Sequence, residues 1–296
     1  MIVVGTAGIV VTSRAFFPSM RPIAFFLFLV AATAFADDVY KPPVLIGVQG
    51  SGSGRRSMRA LPFPDAKTQW ARAATPHFIV ISAAGEKRTR AIAQNLETLA
   101  AALAGLHPRF QTSATPTRVL VFNRRRESQP YFDFLLNHKN ASASGVFVAQ
   151  RNGGTMLIDD TRDWRSDRTP YHELIHNRLA TTEDRVPLWL EEGLAEYFSN
   201  AEVMSGTIRT GTPIREHLET LRRRTSLSLA ELFAVKREAD AYNVRSGQAL
   251  FYAESWAAVN WLMLTNREAF YEFLRDLENG VEPAKAIEAR YHRPLR

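Results

Sequence analysis

Two short segments constrain this chain more than any others: His172-Glu173-Leu174-Ile175-His176 and Trp189-Leu190-Glu191-Glu192-Gly193-Leu194-Ala195-Glu196. In a helix, residues four apart lie one above the other, so His172 and His176 present two imidazoles to one point with Glu173 beside them. A catalytic zinc takes three protein ligands and leaves a fourth position for water, and a carboxylate from a second helix completes a His-His-Glu set. The second segment suits that part, because it sets acids beside a glycine among bulky apolar residues, where a lone carboxylate is costly to bury. The chain must therefore fold so that two helices face each other across one ion.

The 296 residues, 46% of them hydrophobic, are enough for one large domain or two small lobes with a substantial core. There is no cysteine, which excludes disulfides, thiolate ligands, a catalytic thiol and a lipid-modified cysteine anchor, and leaves metal binding to His and carboxylates. Residues 20–36 carry Arg21, an apolar run from Ile23 to Ala32, and the small-x-small ending Ala34-Phe35-Ala36. This is the pattern of a secretory signal peptide cleaved after Ala36, with Met20 as a plausible start and the mature chain periplasmic or secreted. The run is short for a spanning helix, so no stable membrane span is expected in the mature chain. The net charge of +7 includes Arg14 and Arg21, so that +5 remains after cleavage. The triplets Arg124-Arg125-Arg126 and Arg222-Arg223-Arg224 read as solvated faces. No stacking-aromatic motif, recognition helix or phosphate-cradling loop accompanies them, and nucleic acid is not an expected partner.

After a leader at residues 1–36, residues 37–68 are rich in Pro, Gly and Ser and lack periodicity, as in a flexible linker. Strands are expected at residues 77–82 and 117–122, with an amphipathic helix between them at residues 88–103. Residues 130–136 suggest a short helix. Residues 145–149 and 155–159 read as a hairpin turning through Asn152-Gly153-Gly154. Thr169 can cap the histidine helix, with Pro170 at its first position. A second helix starts at Pro187, and further helices are expected at residues 213–224, 228–237, 247–264, 267–278 and 283–291. The fold class is α+β, with an α/β lobe at residues 69–182 carrying the histidines, a mainly helical lobe at residues 183–296 carrying the acid, and a cleft between them.

The two zinc segments together resemble the gluzincin metallopeptidases, the group that includes thermolysin and aminopeptidase N, and most closely their bacterial peptidase-MA-like domains. The resemblance extends over residues 70–277 in the order of elements, but only the two segments are specific to it. It implies a zincin-like fold with a small mixed sheet packed on the His-Glu-x-x-His helix, and one zinc ion held by His172, His176 and Glu192. Glu192 matches the glutamate directly before the glycine in that family. The gap between His176 and Glu192 holds 15 residues, shorter than in well-known members. Glu191 is the rival ligand. Glu192 and Glu196 share one helical face, which favours Glu192 as ligand and Glu196 as the carboxylate that orients a bound imidazole, with Glu191 facing solvent.

The same resemblance implies peptide hydrolysis, with Glu173 as general base toward a zinc-activated water. Tyr252 matches the tyrosine that donates to the oxyanion, and Tyr242 and Tyr197 come next as candidates. Trp256, Val259 and Met263 share the face of Tyr252, which suits a core aromatic equally well. His77, His107, His138, His217 and His292 have no companion at ligand spacing and are expected to lie outside the site. The Gly-x-Met-Glu-Asn segment that holds a free N-terminus in aminopeptidases is absent, so an endopeptidase is expected. Residues 155–159 are then a candidate edge for pairing with an extended peptide or protein substrate. Two other readings are a zinc-containing module of the envelope that binds without catalysis, and a basic exported protein that binds an anionic surface.

Overall fold

The computed structural model describes residues 68–292 except 112, 137–142, 151–152, 161–167, 181–185 and 205–206, together with four short strands that precede them. Those four are β1 (Val3–Gly5), β2 (Gly8–Thr12), β3 (Val44–Ile46) and β4 (Arg59–Leu61). The expected signal peptide core and cleavage site lie outside the described residues. Within the expected linker, β3 and β4 pair antiparallel.

A five-stranded mixed sheet organises the first half. Its strands are β5 (Ala71–Ala74), β6 (Phe78–Ser82), β7 (Thr117–Phe122), β8 (Gly145–Gln150) and β9 (Gly153–Asp159), in the order β5-β6-β7-β9-β8. The central pairs β6–β7 and β7–β9 are parallel, and the outer strands β5 and β8 run antiparallel to their neighbours. Side chains alternate across the sheet as the period of a strand demands. Phe78, Val80, Val119, Val121, Met156 and Ile158 join the main core, whereas Ile81, Leu120, Phe122 and Leu157 join a second cluster with Tyr131 and Phe132. The helix α1 (Glu86–Ala104) covers the main-core face through Ile92, Leu96, Leu99 and Leu103. On the other face lies α2 (Arg125–Leu136). It begins well before the expected residue 130 and carries Pro130 within its first turns.

The expected hairpin forms between β8 and β9, but its outer strand is β8. Residues 155–159 are paired on both sides and offer no free edge, because β9 inserts between β7 and β8. The burial agrees: β9 is buried along its described length, as an internal strand should be, and β8 is only half-buried.

The second half is mainly helical, as α3 (Arg168–Leu179) and α4 (Leu188–Ser199) give way to a short hairpin, β10 (Glu202–Met204) with β11 (Thr207–Thr210). β11 also pairs with β2. Then come α5 (Arg215–Arg223), α6 (Leu229–Ala234), α7 (Asp240–Asn243), α8 (Arg245–Thr265), α9 (Arg267–Glu278) and α10 (Pro283–Tyr291). One buried cluster runs from Phe78 and Leu96 through Leu174 and Trp189 to Phe251, Phe270 and Ile287, so the two halves share a single core. Among the described residues, no helix is long and apolar enough to cross a membrane.

Candidate metal site

The histidine helix α3 packs between the sheet and α4, with Tyr171, Leu174, Ile175 and Leu179 buried. Thr169 lies inside its first turn rather than capping it, and its hydroxyl meets Ser144 Oγ at 3.2 Å. Pro187 ends the incoming chain at the start of α4, where a missing N–H leaves no partner unsatisfied and its carbonyl accepts from Leu190 and Glu191. Gly193 sets how closely α4 can approach α8. A Cβ there would stand 2.4 Å from the Ser255 carbonyl oxygen and 2.6 Å from Val259 Cγ2. The glycine of the Trp-Leu-Glu-Glu-Gly segment thus lets α8 cross directly behind Glu192, and this crossing brings Tyr252 to the site.

Nε2 of His172 and Nε2 of His176 are 3.0 Å apart, and Glu192 Oε2 lies 3.5 Å from each. Donors about 2.1 Å from a tetrahedrally coordinated ion stand about 3.4 Å from one another, so this triangle has the dimensions of one face of such a site. Glu192 Oε2 is buried and has no hydrogen-bond partner, an oxygen whose valence a cation would satisfy. Among the described residues, these three form the one group of His and acidic side chains close enough to hold a metal ion.

Each imidazole is gripped at its other nitrogen. His172 Nδ1 is 3.2 Å from Glu196 Oε1, and His176 Nδ1 is 3.0 Å from Glu191 Oε1. With both Nδ1–H groups donated to carboxylates, both Nε2 lone pairs point toward Glu192 Oε2, a concentration of negative potential that suits a cation. Protons feel the same field. Burial alone would lower His172, but the carboxylates of Glu192 and Glu196 on either side of its ring carry it up to about 9. His176 is likewise raised against its burial, by the charge of Glu192 and by its hydrogen bond to Glu191. Burial would raise Glu192, yet the charge of His176 and the imidazole of His172 beside it hold it far below the usual carboxylate range.

Glu191 does not face solvent. Besides His176 it pairs with Arg237, from the segment between α6 and α7. His217 is likewise part of the surroundings rather than remote: its Nε2 lies 2.9 Å from Glu196 Oε2, and its ring packs 5.6 Å from that of Trp256. Arg168 Nη2 approaches the same oxygen at 3.6 Å. His77 and His107 are bound elsewhere, His77 to Glu97 and His107 next to Glu278 and Tyr271. His292 lies at the end of α10, and His138 falls outside the described residues.

Glu173, beside the donor triangle, reaches to β8. It is buried, accepts a hydrogen bond from the Phe147 backbone N–H, and burial raises its pKa. The fit is tight, since a Cβ on Gly145 would come within 2.5 Å of Glu173 Oε1. Tyr252 packs its ring 6.3 Å from that of His172, and its hydroxyl is hydrogen-bonded to that of Tyr242. Tyr242 donates to Glu192 Oε1 at 2.9 Å. Tyr197 is directed elsewhere, with its hydroxyl 3.3 Å from Thr210 Oγ1.

A protein family of unknown function, DUF1570, matches residues 169–281, which span both metal-site helices and run through α8 to the end of α9. No curated protein matches the chain significantly.

Proposed function

We propose that this chain is an exported zinc metallopeptidase of gluzincin type, with zinc held by His172, His176 and Glu192. The observation that carries this reading is the donor triangle with its orphaned Glu192 oxygen, joined to a buried glutamate that is not one of the donors. A purely structural ion needs no such neighbour. The mixed sheet packed on α3 and the helical second half agree with a zincin-like architecture. When bound, zinc supplies an activated water of pKa about 7 and polarises the scissile carbonyl.

Glu173 takes the proton from the attacking water and returns it to the leaving amine, and its raised pKa suits that exchange. Its carboxyl is oriented by the Phe147 N–H, so the base and the outer strand β8 are fixed to each other. The tautomers of His172 and His176 are held by Glu196 and Glu191. Tyr252 rotates its hydroxyl from Tyr242 to the developing oxyanion. An extended peptide pairs with β8, whose outer edge borders Glu173.

The deciding experiment compares exported proteins from cells carrying the wild type and Glu173→Gln by profiling of cleaved termini, together with zinc analysis of both purified proteins. Termini that vanish with Glu173→Gln while zinc is retained support the reading. Equal zinc with identical termini would assign the site to binding rather than hydrolysis. The N-terminal residue of the mature protein tests export: Asp37 is expected, and a chain that keeps residues 20–36 contradicts cleavage.

A further inference from the structure

The two oxygens of Glu192 have different surroundings. Oε2 faces the two Nε2 atoms at 3.5 Å and has no hydrogen bond, whereas Oε1 accepts the phenolic proton of Tyr242 at 2.9 Å. A phenol has a single proton, and Tyr242 gives its own to Glu192, so the bond between the two phenols is donated by Tyr252. The result is a directed chain, Tyr252 to Tyr242 to Glu192.

Tyr242 is well fixed for this task. Its ring meets Phe251 edge-on at 5.9 Å and Tyr252 at 6.2 Å, both on the first turns of α8. The stretch that carries Tyr242 also delivers Arg237 to Glu191. One connection between α6 and α8 therefore contacts both adjacent acids near the start of α4, Glu191 through Arg237 and Glu192 through Tyr242.

We infer that Tyr242 is a positioning residue that restricts Glu192 to metal binding through Oε2 alone, and thereby keeps a coordination position open for a reactant. This rests on the metal-site reading above. With Oε1 occupied by a strong donor, the carboxylate cannot turn its second oxygen to the ion without losing a buried hydrogen bond. Without Tyr242 the carboxylate is free to bind through both oxygens, which raises the coordination number and fills the position that a catalytic ion needs open.

The test uses full-length mature protein, stripped by chelator and reloaded with Zn2+ or Co2+, as wild type, Tyr242→Phe, Tyr252→Phe and His176→Ala. Tyr242→Phe should weaken zinc binding by about 10–100-fold, the usual effect of losing a partner of a metal ligand. Its Co2+ visible absorption should also weaken and shift, as cobalt does on gaining ligands. Tyr252→Phe, which leaves the Tyr242–Glu192 bond in place, should match the wild type in both readouts, and circular dichroism of the metal-free proteins checks the fold. Wild-type affinity and an unchanged cobalt spectrum in Tyr242→Phe would overturn the inference while leaving the metal site intact. If the wild type binds neither ion, or His176→Ala binds them as tightly as the wild type does, the metal-site reading fails and this inference fails with it.

Discussion

Glu191 and Glu192 hold opposite nitrogens of one imidazole: Glu191 Oε1 stands 3.0 Å from Nδ1 of His176, and Glu192 Oε2 stands 3.5 Å from its Nε2. Neighbouring helical side chains diverge by about 100°, so adjacent acids can straddle a ring that enters between them. The ring enters from α3, and the two carboxylates do different work although both contact it. One sets the tautomer, and the other offers an oxygen where the three donors could hold a metal ion.

This division predicts opposite outcomes for two alanine variants. Glu192→Ala should lose tight metal binding, because a donor is gone. Glu191→Ala should keep the ion with affinity lowered by about 10–100-fold, because only the grip on His176 is lost. Competition with a chromogenic chelator measures both. Retention by Glu192→Ala with loss by Glu191→Ala would reverse the assignment.

Tyr252→Phe should leave metal affinity unchanged and lower kcat by about 10²–10³-fold on any peptide the parent cleaves. KM should change little, since the hydroxyl engages only as charge develops on the carbonyl oxygen. A kcat near the wild-type value would leave Tyr252 as a packing residue and the donor to Tyr242.

Stability of the metal-free protein should depend on pH in a defined window. The pKa of His172 is raised from 6.5 to about 9 against its burial by Glu192 and Glu196, so the folded state binds that proton more tightly than the unfolded chain does. The stabilisation is complete below about pH 6.5 and is lost as pH rises through about 9. The thermal midpoint of chelator-treated protein should fall across this interval. Metal-loaded protein should lack that fall, because coordinated imidazoles are already neutral. A flat midpoint between these limits in the stripped protein would contradict the electrostatic account.

Gly193→Ala should destabilise the protein by about 1–3 kcal/mol, the range for overpacking a close contact. The added methyl group meets the Ser255 carbonyl at 2.4 Å, which is backbone and cannot rotate away. Urea denaturation would report it as a lowered midpoint with an unchanged slope. Separation of α4 from α8 should also draw Tyr252 away from His172, so activity is expected to fall further than stability explains.

Much of the site was legible because helical spacing is local. His172 and His176, and likewise Glu192 and Glu196, are four apart on their own helices, and the structure sets the first pair against the second. Glu191 was misread as solvent-facing because α4 is buried nearly all round, so its sequence offers no polar face from which to choose. His217 and Arg237 had no companion at a telling distance along the chain. They reach Glu196 and Glu191 only through the packing of α5 and of the connection before α7. The outer strand of the hairpin was not readable, because Gly145-Val146-Phe147-Val148-Ala149 is as apolar as Thr155-Met156-Leu157-Ile158, and only the insertion of β9 between β7 and β8 tells them apart.

The common core has a consequence for how this molecule assembles. All three donors lie within residues 172–192, so a short chain closure brings them together. Tyr242 must return across 50 residues to reach Glu192, and parallel pairing of β6 with β7 must wait for the whole of α1 to be enclosed. Contacts of low sequence separation form at the smaller entropic cost. On the metal-site reading proposed above, the helical pair could hold an ion before the phenols arrive, and the arrival of Tyr242 at Glu192 would then be the step that fixes how the ion is held.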